Sequence, residues 1–477
     1  MASEHLETRG RRRRSDAESN FARIVAAAGE LLQLDPDTSV DEIAAAAAVS
    51  RATVYRHFRS RLELVAAARQ HVREVTDANE TDALRPPGEL SSTGPVPLDV
   101  TEVLNKVPPH LLGDQIVSEA RRLAGVTSVA AYLVDIDGTA LLRLAGSEEF
   151  PQRIPLTLGV GPEIPREGLP PLRAHLAEEL PGSVVAPMLL RGRAVGVLLA
   201  VDAPEARLAE IARQAGAALS LANGYTDVFD DVRRRKETSA AAEIQQNLLP
   251  PRIARIAGGL LAGNVLPGYD IGGDWFDYIE NRDGAWLGIA DSKGRGTTAA
   301  AIGGVALGAF RAKRRIGATM AEAMTGIDET IRALEVDGAF VNAVIGRWHG
   351  PSSTFRWITA GHQSPLLISG GEVIELGDDR EYEALGLGAP GRTFEVSERR
   401  LKPEELLLLV SDGVLEREVA GGGHFGIDGV RALVADRTGP LRAPALVREL
   451  SDALMSASED VLEDDATLVA FSPSSPE

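Results

Sequence analysis

Four short acidic motifs, far apart in a 477-residue chain, hold the residues whose types could do chemistry together. They are Ile271-Gly-Gly-Asp274-Trp-Phe-Asp277, Ile289-Ala-Asp291-Ser-Lys-Gly294, Val410-Ser-Asp412-Gly413 and Glu463-Asp464-Asp465-Ala-Thr467-Leu. Each carboxylate stands beside a glycine or small residue, or at the end of an apolar run. Carboxylates gathered from such places repel one another unless cations neutralise them. A hard divalent metal is the matching ligand chemistry. The chain has no cysteine, so disulfides, thiolate metal sites and cysteine nucleophiles are excluded.

Elements that bring these motifs together are visible from about Ser239 onward, where strand-length apolar runs alternate with helix-periodic segments. The pattern predicts strand Trp286–Ala290, helices Thr297–Lys313 and Ala318–Leu334, and strands Ala339–Trp348, Ser353–Thr359 and Leu406–Val410. Two more helices and strand Thr467–Phe471 follow. A long helical stretch is expected before them, from Ala206 to about Leu249, closed by Pro250-Pro251. Its apolar spacing is too irregular to define a coiled coil.

Further motifs stand in the same order: Ile244-Gln245, Leu248-Leu249-Pro250, Thr359-Ala-Gly361-His362-Gln-Ser-Pro365 and Ser411-Asp-Gly-Val-Leu-Glu416. With them, this half of the chain resembles the SpoIIE-type branch of the metal-dependent (PPM) protein serine/threonine phosphatases. The resemblance implies an α-β-β-α sandwich over residues 251–474 with two Mn²⁺ or Mg²⁺ ions at the sheet edge. Asp274 and Asp291 would bind or bridge the ions, the backbone carbonyl of Ser292 would add a ligand, and Asp412 and Asp464 would complete the site. Position in the family pattern favours Asp464 over Asp465 as the ligand, leaving Asp277 and Asp465 next to the ligands. Metal-activated water then serves as nucleophile, in keeping with the absence of cysteine. His362 reads either as a general acid or as a structural turn residue, and His349 and His424 as loop residues. The family pattern is departed from at Ala290 and Ser292, either side of Asp291, and at Arg295; all four carboxylates are present.

The implied activity is removal of phosphate from serine or threonine of a phosphoprotein, in this branch usually a phosphorylated STAS-type anti-anti-sigma factor. Residues 223–250 would form a signalling or switch helix, and docking of Ile244–Pro250 would complete the metal site.

The beginning of the chain is helical. Phe21, Ile24, Val25, Ala28, Leu31 and Leu32 keep the spacing of an amphipathic helix, and Asp35-Pro36-Asp37 ends it. Ser39-Val-Asp-Glu42 fits a capping box opening helix Asp41–Ala48, and Ser50 can cap Arg51–Phe58 after a tight turn. Val49–Ala67 resembles the recognition-helix region of TetR-type repressors, which implies an all-α helix-turn-helix over 16–75. Arg51, Thr53, Tyr55, Arg56 and His57 would then face DNA, preceded by a flexible arm, 1–15, whose Arg11–Arg14 would meet phosphate or the minor groove. The alternative use of such a module is protein contact. The all-helical ligand and dimer domain of that family does not follow, so dimerisation is expected from elsewhere.

After a Pro/Gly/Ser-rich linker, 76–106, the chain reads as mixed α/β over 107–222. Helix Gly113–Ala124, strands Ser128–Val134 and Thr139–Leu144, and a hairpin of Val184–Leu190 and Ala194–Val201 are expected. This order, with Met188–Pro204, resembles a GAF sensor domain, which implies either a small-molecule pocket for an unknown effector or a dimerising module. His175 reads as a surface residue.

The formal net charge is −19, unevenly spread: residues 1–73 hold 12 Lys and Arg against 10 Asp and Glu, and the remainder 38 against 59. The acidic bulk is unsuited to nucleic acid or an anionic membrane, whereas the first segment is not. With no membrane span or secretory signal visible, a cytoplasmic homodimer is expected. The rival to the phosphatase is a DNA-binding regulator whose phosphatase fold is a scaffold, or an enzyme localised on DNA.

Overall fold

The computed structural model describes residues 20–32, 38–58, 60–61, 63–65, 67–68, 71 and 103–474, apart from 268–271, 282–283, 378–379, 436–440 and 459–461. The expected basic arm, 1–15, and most of the linker lie outside the described residues.

A helix over residues 20–32 packs on helices Val40–Ala46 and Arg51–His57. The capping box forms: Ser39 Oγ accepts from the Glu42 N–H at 3.2 Å, and the Glu42 carboxylate accepts from the Ser39 N–H at 2.7 Å. Ser50 caps the next helix through the Thr53 N–H. Ile24, Ala28, Ile43, Val54 and Phe58 form the small core that fixes this helix-turn-helix.

The middle block is one antiparallel sheet. Its strands are β1 (Val129–Val134), β2 (Ala140–Gly146), β3 (Arg153–Pro155), β4 (Ile164–Pro165), β5 (Ser183–Leu190) and β6 (Arg193–Val201). They lie in the order β3-β2-β1-β6-β4, with β5 also on β6. The β5–β6 turn is Arg191-Gly192, both at positive φ, which suits the twist of a two-residue hairpin. Helices Leu112–Ala124 and Glu205–Ala222 cover one face through Ile116, Leu208 and Ile211. Helix Leu169–Glu179 covers the other through Leu172 and Leu176. Both faces being covered, every residue of β1 is buried.

The long helix expected to Leu249 is not continuous, and this corrects the switch helix drawn over 223–250. The chain leaves the helix at Ala222, makes a short helix Val228–Arg233, passes through an irregular stretch with a bend at 235–236, and restarts as Ala240–Leu248. Asn223-Gly224 favours a break, and Ser239 caps the restart by accepting from the Ala242 N–H at 3.1 Å.

The last block stacks two antiparallel sheets between helical layers. One sheet has the order β15-β12-β11-β10-β9: β9 (Trp275–Asn281), β10 (Gly284–Ser292), β11 (Val341–His349), β12 (Thr354–Ala360) and β15 (Ser397–Arg400). The other has the order β14-β13-β16-β17-β8-β7: β7 (Ile253–Ile256), β8 (Gly259–Leu266), β13 (Leu366–Ser369), β14 (Glu372–Glu375), β16 (Leu406–Val410) and β17 (Ala466–Pro473). Phe276, Leu287, Trp348, Leu407 and Phe471 fill the space between the sheets. Helices Gly296–Arg315 and Met320–Arg332 cover the first sheet, and Gly426–Ala435 and Ala443–Ser456 the second. Strands β7, β8, β9 and β13–β15 are absent from the pattern read in the sequence. In β8, Gly263 and Asn264 interrupt the apolar run, yet the glycine is needed, because a Cβ there would lie 2.7 Å from the Phe276 ring.

Candidate metal centre

Sheet register brings the acidic motifs to one place. Asp274 immediately precedes β9, and Trp275 pairs with Ala290, which sets Asp291, near the end of β10, beside it. Asp412 opens the short helix Asp412–Leu415 after β16, and Asp464-Asp465 precede β17, the neighbour of both β16 and β8. The ends of the neighbouring strands β16 and β17 are tied by Ser411, whose Oγ accepts from the Thr467 N–H at 2.9 Å and donates to the Asp465 carbonyl at 3.2 Å. Gly413 touches the same carbonyl; any Cβ at this position would collide with it, which explains the glycine after Asp412.

Glycines also shape the Asp274 side. Gly272 and Gly273 have φ of 144° and 145°, a region closed to most side chains. A Cβ on Gly272 would sit 2.8 Å from the Ala241 Cβ, so the Ala240–Leu248 helix packs directly on the loop carrying Asp274.

That helix sends one side chain into the cluster. Gln245, buried, donates to Asp465 Oδ2 at 2.7 Å and to the Asp274 carbonyl at 3.0 Å. Asp465 Oδ2 also accepts the Asp274 N–H at 3.2 Å. Thr467 Oγ1 donates to Asp274 Oδ2 at 2.5 Å, and Asn342 Nδ2 to Asp291 Oδ2 at 3.0 Å. Gln245 and Thr467 fall inside motifs read from the sequence; Asn342 gave no signal there beyond its place in a strand.

Burial and mutual repulsion govern the protons. Burial, then the charge of Asp412, pushes Asp291 up to about 6. Burial, with Asp464 and Asp291 nearby, pushes Asp465 up to about 7. Asp274 is driven upward by burial and by the Asp291 and Asp465 charges, and Asp464 by burial and Asp412. Buried carboxylates in this state are relieved by a cation.

The donor set fits hard divalent ions. All its side-chain groups are carboxylates, Asp465 Oδ1 is buried without a partner, and Ser292 ends β10 with its carbonyl beside Gly273. Among the described residues, no three or more Asp, Glu or His side chains stand close enough together to hold a single ion without rearrangement.

Other expected residues divide sharply. Asp277 stands apart from the cluster, gripped by Arg311 at 3.0 Å and Arg314 at 2.5 Å, and Arg311 also donates to the Leu248 carbonyl. It anchors the end of the Ala240–Leu248 helix. His362 lies near Asp412 in the wall of a cleft of about 440 Å³ that Thr359, Arg380, Glu381 and Tyr382 also line. Burial lowers its pKa, and its Nε2 is buried without a partner. Arg295 faces Glu463 at 3.5 Å. His349 pairs with Ser352 Oγ, His424 with the Glu416 carbonyl and His175 with the Pro155 carbonyl, all local contacts. On the helix-turn-helix, Arg51, Tyr55 and Arg56 are exposed, Thr53 bonds the capping Ser50, and His57 packs edge-on to Phe21.

Residues 281–473 match the family model described as Stage II sporulation protein E (SpoIIE). The C-terminal half carries a SpoIIE-type phosphatase domain. Residues 24–68 match the model for bacterial regulatory proteins of the tetR family. The phosphoserine phosphatase RsbU of Bacillus subtilis (strain 168) is 21% identical over 238 residues, spanning 50% of this chain and 70% of that protein. Solved structures similar to the chain include the SiaA-PP2C domain of Pseudomonas aeruginosa, at 22% identity and a TM-score of 0.41 over 49% of this chain and 94% of that one. The PP2C phosphatase domain of SpoIIE from Bacillus subtilis, with a fragment of its regulatory domain, has 13% identity and a TM-score of 0.39 over 66% and 78% of the two chains. In this phosphatase domain the four motif carboxylates, Ser292 and Gln245 are neighbours, whereas Asp277 serves the helix behind them.

Proposed function

We propose that the protein is a metal-dependent protein serine/threonine phosphatase acting in the cytoplasm on a phosphorylated STAS-type protein. The observation that carries the reading is the convergence of Asp274, Asp291, Asp412 and Asp464, from four motifs at strand ends of the two sheets, within a SpoIIE-type domain.

Asp274, Asp291, Asp412, Asp464 and the Ser292 carbonyl would hold two Mn²⁺ or Mg²⁺ ions. When bound, such ions supply Lewis-acid polarisation of a phosphoryl group and a water nucleophile at neutral pH. The chain's own residues prepare the site. Thr467 and Asn342 each occupy one oxygen of Asp274 and Asp291, fixing the carboxylate planes. Gln245 and the Asp274 N–H orient Asp465 through Oδ2, leaving Oδ1 as a buried acceptor without a protein partner. His362, kept neutral by burial, donates its Nδ1–H to the Gln363 carbonyl, which leaves Nε2 as a proton acceptor at the cleft wall.

The middle block acts as a GAF-like sensor for the phosphatase and supplies a homodimer contact, and the TetR-like segment binds DNA through exposed Arg51, Tyr55 and Arg56. The test of the substrate class is phosphate release with Mn²⁺ from a phosphoserine STAS-type protein and from a phosphotyrosine peptide. Turnover confined to the phosphoserine substrate is expected; preference for phosphotyrosine would overturn the assignment.

A further inference from the structure

The loop between β3 and β4 does not stop at the surface of its own block. Its residues 157–163 enter the phosphatase domain. Val160, 1% exposed, belongs to the same core as Ile253, Ala262, Leu266 and Leu446. The Val160 N–H donates to the Glu163 carbonyl at 2.8 Å, closing a tight turn at Gly161-Pro162. Arg448, on the outer helix of the phosphatase domain, donates to the Thr157 carbonyl at 3.3 Å.

Glu163 is the charged end of this insertion, and it is 6% exposed. One carboxylate oxygen pairs with Arg193 of its own sheet at 2.7 Å. The other accepts the Ile253 N–H, at the start of β7, at 3.0 Å. Arg252, the residue before, is buried and attracted by the same carboxylate. Arg252 in turn donates to the Pro250 carbonyl at 3.0 Å and to Gln246 Oε1 at 2.5 Å. Gln246 is the chain neighbour of Gln245, which holds Asp465 and the Asp274 carbonyl. Buried Arg193 and Arg252 therefore share one acid, and its removal leaves cations without a counter-charge where water does not reach.

We infer that the 157–163 insertion is a clamp by which the middle block fixes the Ala240–Leu248 helix, and that Glu163 is a positioning residue for the carboxylate cluster. Its link to metal affinity rests on the metal-centre reading above; its link to the helix does not. The coupling runs Glu163, Ile253 and Arg252, Gln246, Gln245, Asp465.

The experiment uses the full chain and its Glu163→Ala and Glu163→Gln variants, with amide hydrogen exchange and calorimetric titration of Mn²⁺ alone. Glu163→Ala should speed exchange across 240–248 and weaken Mn²⁺ binding at least about fivefold, the low end of coupling between sites. Glu163→Gln keeps an acceptor for the Ile253 N–H but not the charge, so its effects should be smaller and in the same direction. Val160→Ala, which loosens the insertion without touching a charge, provides a folded variant should Glu163→Ala not accumulate, and it too should speed exchange at 240–248. Faster exchange confined to 157–163 and 252–256, with 240–248 and Mn²⁺ affinity as in the unaltered chain, would overturn the clamp. If the unaltered chain takes up no Mn²⁺, the metal-centre reading fails, while exchange at 240–248 still decides the clamp.

Discussion

Asp291 and Asp465 keep their protons well above 3.8, at about 6 and about 7, because burial and neighbouring carboxylates penalise the charged forms. The sign of the consequence is fixed by linkage. Between pH of about 4 and 7 the folded metal-free chain binds more protons than the unfolded one, so the contribution of these groups is present at low pH and is lost as pH rises through that window. A divalent ion takes the deprotonated carboxylates and reverses the penalty. The metal-free Tm should therefore fall between pH 5 and 7.5, and saturating Mn²⁺ should raise Tm more at pH 7.5 than at pH 5. Scanning calorimetry checks both. An equal Mn²⁺ effect at the two values would argue against carboxylate ligation. At this scale the clustered carboxylates were legible, because each sits beside a glycine or near a strand end. Asp277 shared the look of those motifs but faces Arg311 and Arg314, since the alternation along β9 turns it toward the covering helix.

Among the elements, the Ala240–Leu248 helix connects the most. It packs on Gly272, is tied at its end by Arg311, and reaches the cluster through Gln245. Replacing Gln245 by Ala removes the donor that orients Asp465. Metal affinity should fall by about 10–100-fold, as for loss of a group that supports a metal site from behind its ligands, since Gln245 also holds the Asp274 carbonyl. Calorimetric Mn²⁺ titration reads this directly, and an unchanged affinity would remove the helix from the account of the site. The motif around Gln245 was legible, but the break in the helix before it was not. An Asn-Gly step and a serine cap are weak local preferences in a sequence otherwise rich in helix formers, and tertiary contacts such as Arg235 with Asp135 at 2.7 Å decide the outcome. Strand β8 was hidden for a related reason: Gly263 is chosen by the Phe276 ring across the sheets, a contact without local trace.

At the scale of the whole molecule, charge separates the parts. No helix among the described residues is long and apolar enough to cross a membrane. The helix-turn-helix carries exposed Arg51 and Arg56, whereas the rest of the chain is strongly acidic. If the first segment meets DNA phosphates, binding to duplex DNA should weaken steeply with salt, and Arg56→Ala should lower the logarithmic slope by about 1. Fluorescence anisotropy across a salt series measures it; a flat slope in the unaltered chain would exclude phosphate contact. The insertion of Val160 and Glu163 into the phosphatase domain had no counterpart in the sequence reading, since both look like ordinary loop residues until the two blocks are seen packed together. The phosphatase function proposed for this chain depends on the carboxylate cluster being a working metal centre. The most direct measurement is Mn²⁺-dependent hydrolysis of a generic aryl phosphate by the full chain and by Asp412→Ala. Saturable turnover that chelation abolishes and Asp412→Ala lowers by more than about 100-fold is the predicted result. Turnover that persists undiminished in Asp412→Ala, or that is absent at every Mn²⁺ and Mg²⁺ concentration, would contradict it.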